Sequence, residues 1–200
     1  SLPIDDSTPK APFTIPEIKK LCAAAGDQWQ GMILLGTYTG MRMADAANMI
    51  WGSIDLAEGV IDFCPRKTKR KNRWVKVPMH PALKVYFEAL PSSDDPAAPV
   101  FPDLAGKRPE ALSKQFKKIM VKAGVADKTT QADPDGVGRR VSSRSFHSTR
   151  HTATSLLANA DVPEEIRQAI VGHSDDQTHQ IYTHYDTNTL RKAIEKMKGA

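Results

Sequence analysis

Apolar residues recur at helical spacing through most of this chain, and one stretch departs from that period. Thr14, with Glu17 three residues on, forms a capping box ahead of Ile18, Leu21 and Cys22, and so predicts a helix after a proline-rich, aperiodic start from Ser1 to Phe13. Trp29 to Thr39 is apolar enough for a buried helix that Gly40 can stop. Met41 to Ile50 carries a second, short helical pattern, with Arg42 at the junction. The exception in period is Gly59 to Cys64 and Trp74 to Val77, short runs of Val, Ile, Phe and Trp that read as a β-hairpin with a basic tip, closed by Pro78. Helical patterns return at Pro81 to Leu90. They resume, beyond a proline-rich connection from Pro91 to Pro109, at Ala111 to Ala123, which Gly124 ends. Val125 to Arg144 is polar and irregular. From Phe146 the pattern is helical almost to the end: His147 to Ala160, Pro163 to Val171, Asp176 to Thr183 and Thr187 to Lys198. The chain is therefore expected to be mainly α with a small antiparallel β-sheet or hairpin, with a linker over residues 1–13 and one domain over residues 14–200.

Composition narrows the class. Two hundred residues, 40% apolar and 26% charged, suffice for one sizeable core. No apolar run approaches the roughly 20 residues of a membrane-crossing helix, and Ser1 to Lys10 lacks the order of a signal peptide. A cytoplasmic protein with no membrane partner is the expectation. Cys22 and Cys64 stand far apart with no Cys-x-x-Cys pattern, so they are read as reduced core thiols, not as a disulfide scaffold or a zinc site.

Charge changes the picture more. The net charge is only +5, but Arg66 to Lys76 holds seven cations and no acid, among them Lys67, Lys69, Arg70, Lys71 and Arg73. A second acid-free stretch, Val137 to Ala160, holds Arg139, Arg140, Arg144 and Arg150, which leaves the rest of the chain net acidic. A single basic run is usually a solvated face; two of them in an otherwise acidic chain point to a polyanion.

Three local patterns remain: Thr39-Gly40-Met41-Arg42 with Asp45 one turn later; Phe146-His147-Ser148-Thr149-Arg150-His151-Thr152; and Val171-Gly172-His173-Ser174 followed by Gln180-Ile181-Tyr182-Thr183-His184-Tyr185. In that order, with a basic hairpin between the first two, they resemble the catalytic domain of the tyrosine recombinases, the phage integrase family, from about Thr14 to about Leu190. The resemblance implies the tyrosine recombinase catalytic-domain fold and double-stranded DNA as partner. It implies strand cleavage and rejoining through a 3′-phosphotyrosine, with no metal or nucleotide cofactor because the bond energy is kept in the protein–DNA ester. It further implies assembly as a homo-tetramer on paired DNA sites, with weak association or a monomer in the absence of DNA. The N-terminal DNA-gripping domain of typical members is expected to be absent from this chain.

The residue types suit that chemistry. Attack on a phosphodiester adds negative charge to the non-bridging oxygens, which Arg42 and Arg150 would hold by bidentate hydrogen bonds. His147 lies three residues before Arg150, on one side of a helix, and suits acid/base work near neutral pH. By resemblance, Tyr182 is the nucleophile, His173 adds a hydrogen bond to the phosphate, Asp45 buttresses Arg42, and a hairpin lysine, Lys67 with Lys69 as the alternative, protonates the departing 5′ oxygen. Lys69, Arg70, Lys71, Arg73, Arg139, Arg140 and Arg144 are expected to meet the DNA backbone.

Other readings compete residue by residue. Arg42 and Asp45 also suit a plain ion pair, and Tyr185 is a second candidate nucleophile. His147 and His151 have the spacing of a helical metal pair, but Ser148 stands where a zinc protease has Glu. Trp74 fits either sheet packing or DNA contact. Leu156, Leu157, Ile166 and Ile170 are read as core. Leu190, Ile194 and Met197 form one apolar stripe, expected to dock on a neighbouring subunit, with packing on its own chain as the alternative. At the level of the whole chain, the competing functions are type IB topoisomerase-like relaxation and a DNA-binding module that does not cleave.

Overall fold

The computed structural model describes residues 11–66, 74–126, 144–171 and 186–199. Eight α-helices are found among them: α1 (Ile15–Ala24), α2 (Asp27–Thr39), α3 (Met43–Ala47), α4 (Pro81–Glu88), α5 (Pro109–Lys122), α6 (His147–Asn159), α7 (Glu164–Val171) and α8 (Thr187–Glu195). One antiparallel sheet runs in the order β1 (Ile54–Asp55), β2 (Val60–Phe63), β3 (Val75–Pro78), with Ile61 opposite Val77. This is the mainly α fold with a small sheet that the periodicity predicts. The expected helix at Asp176 to Thr183, the tip of the hairpin and nearly all of the Val125 to Arg144 stretch lie outside the described residues.

α2 is the centre of the molecule. Ten of its residues are buried, from Trp29 to Thr39, because the helix is apolar on every side and is walled by α1, α4 and α6. Its approach to α6 is close because Gly36 lacks a side chain: a Cβ there would overlap Thr149 Oγ1. Trp29, Phe116, Phe146 and Phe13 form a run of edge and tilted ring contacts between α2, α5 and α6. Leu157 and Ile170 are buried, and Leu156 and Ile166 pack against the same core.

The capping box forms as expected: Thr14 Oγ1 accepts the Glu17 amide and Glu17 accepts the Thr14 amide at 2.8 Å. The helix expected over Met41 to Ile50 is shorter, because Gly40 and Arg42 take non-helical conformations before it and the chain then turns out at Asn48 to bridge Ile50 to Pro99. β1 has no counterpart in the sequence reading, since two residues carry no period.

Three expectations are corrected. Phe13, assigned to the linker, is a core residue; Thr152 Oγ1 accepts its amide at 2.8 Å and donates to its carbonyl at 3.1 Å. The stripe Leu190, Ile194 and Met197, expected on a neighbouring subunit, is buried within its own chain, where α8 packs on β3. Cys22 and Cys64 are free thiols as expected, but each is half-buried instead of lying in the core.

Candidate active site

The C-terminus of α2 gathers the sequence patterns. Gly40 sits in the left-handed region, φ 66°, where a side chain is strained, and donates its amide to Gly36 to close the helix. Its carbonyl, freed by that turn, accepts Nη1 of Arg150 at 2.8 Å. Arg150 stands in the first turns of α6 and is buried, 8% exposed, so its guanidinium is held in place at the negative end of the α2 dipole. On the other side of Gly40 lies Val171, the last residue of α7; a Cβ on Gly40 would fall 2.7 Å from Val171 Cγ1. The first pattern therefore touches the second through a hydrogen bond and the third through bare van der Waals contact.

Arg42, Asp45 and Arg150 line one small pocket with Thr39, Pro65 and Val171. Arg42 caps α3, its carbonyl accepting the amides of Asp45 and Ala46 at 3.0 and 2.9 Å. Asp45 Oδ1 accepts the Arg66 amide at 3.0 Å, and among the described residues no ion pair joins the carboxylate to Arg42. His147 opens α6 and is exposed. It is not among the residues lining the pocket, and its ring meets that of His151 edge-on, centroids 5.0 Å apart. Burial, with the charge of Arg150 beside it, holds His151 below the usual histidine range. No group of three or more His, Cys, Asp or Glu forms a metal cluster among the described residues.

Arg144, expected on DNA, reaches Glu17 Oε1 at 2.6 Å and lies over the Phe13 ring, clasping α1 to the segment before α6. Burial alone would raise Glu17, but the hydrogen bonds from Thr14 and Arg144 and the arginine's charge outweigh it and leave the carboxyl below its usual range. Trp74 is 62% exposed on the hairpin and borders a groove with Ile50, Phe63 and Arg66. Lys67, Lys69, Arg70, Lys71, Arg73, Arg139, Arg140, His173, Tyr182 and Tyr185 lie outside the described residues.

Sequence reading missed Gly40 as a meeting point and the bond from the Arg66 amide to Asp45. The signal for Gly40 was present, a glycine directly after an apolar helix, but only the tertiary structure shows what its carbonyl meets.

The sequence profile of the phage integrase family matches residues 13–189. The chain belongs to this family. It is 26% identical over 194 residues to the tyrosine recombinase XerC of Caldanaerobacter subterraneus, covering 92% of this chain and 50% of that protein. It is 27% identical over 201 residues to XerD of Neisseria meningitidis, covering 96% and 64%. Among solved structures, the integrase from mycobacterium phage Brujita superposes with a TM-score of 0.70 at 22% identity, over 94% of this chain and 57% of that one. The Tn1549 transposon integrase in complex with transposon right end DNA superposes with a TM-score of 0.60 at 19% identity, over 96% and 68%. The fold is that of a tyrosine recombinase catalytic domain, and the chain spans about half the length of the first curated relatives it matches. Among the described residues no helix is long and apolar enough to cross a membrane.

Proposed function

We propose that this chain is the strand-transfer domain of a site-specific DNA recombinase or integrase. The observation that carries the reading is the convergence at Gly40: Arg150 is bonded to its carbonyl, Arg42 lies two residues on, and the two arginines line one pocket. Two guanidinium groups at one pocket match the charge that develops on a phosphodiester under attack, and that of Arg150, held by the fold, needs no reorganisation at that moment. XerC, XerD and the phage and transposon integrases that it resembles are proteins of this class.

In the proposed reaction the Tyr182 oxygen attacks the scissile phosphorus while its proton passes to a base, for which His147 is the candidate. The P–O5′ bond breaks, and O5′ takes a proton from Lys67 or Lys69 to leave as a 5′-hydroxyl. Arg42 and Arg150 hold the non-bridging oxygens, with His173 as a further donor. Attack by a second 5′-hydroxyl on the phosphotyrosine reverses these steps and joins new strands. Double-stranded DNA is the partner, met through the basic arm at residues 66–76 and by Arg139 and Arg140, and a tetramer on paired sites is the working assembly. The site of action is the DNA of the cytoplasm.

The test is covalent trapping. The chain is incubated, with a chelator present, with a pool of randomised duplexes nicked so that the short 5′-hydroxyl product diffuses away. A denaturant-resistant protein–DNA adduct enriched in particular sequences is expected. Binding without any adduct across the pool contradicts the reading and leaves a non-cleaving DNA-binding module; an adduct with no sequence preference, together with plasmid relaxation, favours topoisomerase-like action.

A further inference from the structure

We propose that His151 is a positioning residue for proton transfer: its ring, set edge-on against that of His147, fixes the orientation of the imidazole that takes the proton from the tyrosine. This rests on the strand-transfer reading, in which His147 is the base.

The geometry follows from the helix. His147 is the first residue of α6 and is exposed, so no earlier turn of its own helix lies beneath its ring. His151 stands four residues on, on the same face, and side chains of a helix lean toward its N-terminus, which brings the second ring back onto the first. The centroids are 5.0 Å apart and the planes meet at 85°. That is an edge-to-face contact, which has a preferred geometry and does more than fill space. Next to His151 in sequence, Arg150 is buried and bonded to the Gly40 carbonyl at 2.8 Å, so the turn that carries both histidines is fastened to the end of α2. The ring pair thereby ties the direction of the proton acceptor to the arginine that holds the phosphate.

The role needs a ring without charge. When the tyrosine O–H bond breaks, the electron pair stays on oxygen for the attack on phosphorus, and the proton converts the His147 imidazole to imidazolium. A second cation beside it would oppose that step. Burial, and then the charge of Arg150, hold His151 below the usual histidine value of 6.5, so at neutral pH it is uncharged. The elements packed on α6 and on the segment before it bring Asp27 and Tyr38 on α2, Glu164, Glu165 and Arg167 on α7, and Glu17 on α1, which is paired with Arg144; among the described residues the charge that acts on His151 is that of Arg150. What His151 contributes is therefore its shape, and another flat ring can supply it.

Two measurements test this. In the DNA-free chain, the side-chain couplings of His147 read by NMR should report one rotamer, average over several in His151→Ala, and remain those of one rotamer in His151→Phe, which keeps a ring. On a nicked duplex of a sequence selected from the randomised pool, single-turnover adduct formation should slow about 10-fold in His151→Ala, a part of the roughly 10²-fold or more that a general base supplies, and recover most of that loss in His151→Phe. His151→Leu, which fills the space without a ring, should be as slow as His151→Ala and keeps the test valid if that variant does not fold. A double-mutant cycle separates positioning from plain stability: His147→Ala combined with His151→Ala should be no slower than His147→Ala alone. Losses that multiply, a phenylalanine variant as slow as the alanine variant, an unimpaired alanine variant, a His147→Ala variant at the full rate, or a His147 rotamer indifferent to residue 151 overturns the proposal. An unaltered chain that forms no adduct overturns the strand-transfer reading itself, and the proposal with it.

Discussion

The ring of His80 lies flat on the ring of Tyr38, 3.8 Å between centroids and 5° from parallel, and together they hold the C-terminal end of the chain. His80 Nδ1 accepts the Ala82 amide at 3.1 Å and so caps α4; this leaves the proton on Nε2, facing the Met197 carbonyl at 3.1 Å. Tyr38 donates to the Lys198 carbonyl at 3.4 Å. The stripe that the sequence suggests for a neighbour is thus fastened within its own chain, from a residue in the same helix that ends at the candidate active site.

Burial holds His80 below the usual histidine value of 6.5, the Met197 carbonyl opposing it only in part. Below that value the unfolded chain binds more protons than the folded one, so stability is full above it and falls with pH toward the lower folded value. Thermal melts should therefore show a midpoint that declines on acidification below about pH 6.5, with a slope of at most about 1.4 kcal/mol per pH unit from this one proton. His80→Asn, which can still cap α4, should remove its share of that slope; an unchanged slope contradicts the assignment.

Glu17 joins two structures, the cap of α1 and the clasp to Arg144. Glu17→Ala is expected to cost about 1–2 kcal/mol in urea unfolding, and Glu17→Gln less, because glutamine completes a capping box but carries no charge for the arginine. The depressed carboxyl fixes the pH sense: its contribution is present above the ordinary value of 4.5 and is lost as pH falls through the lower folded value. Equal losses in the two variants would show that the clasp with Arg144 dominates over the cap.

Gly40→Ala meets two obstacles, a left-handed backbone and the Val171 side chain. A loss of about 2 kcal/mol or more is expected in denaturant titration. Because Arg150 hangs on the carbonyl that must move, adduct formation should fall more steeply than DNA binding. Parallel losses in both would mean that Gly40 serves the fold alone.

Much of this was legible in the chain. The Thr14–Glu17 box, the Gly40 stop and the two strands around the basic arm are local signals, carried by capping, backbone conformation and period, and all appear where they were read. Burial of α8 was legible too, but not its destination: an apolar stripe says that a face is covered and never by what. Arg144 shows the same limit for charge, since its basic surroundings point to DNA and say nothing of Glu17, an acid 127 positions away that it also bonds. Phe13 fell outside any period because a single residue has none. The site was legible as residue types in order, while the contact that brings Arg150 to Gly40 is tertiary.

The central claim is that a tyrosine hydroxyl, brought to a phosphate held by Arg42 and Arg150, becomes covalently joined to DNA. Its most direct test is peptide mapping of the adduct trapped on nicked duplex, repeated with Tyr182→Phe and Tyr185→Phe. The account predicts a phosphonucleotide mass on the peptide containing Tyr182, no adduct from Tyr182→Phe despite retained DNA binding, and an undiminished adduct from Tyr185→Phe. An adduct that maps to Tyr185, or that persists in Tyr182→Phe, would contradict it.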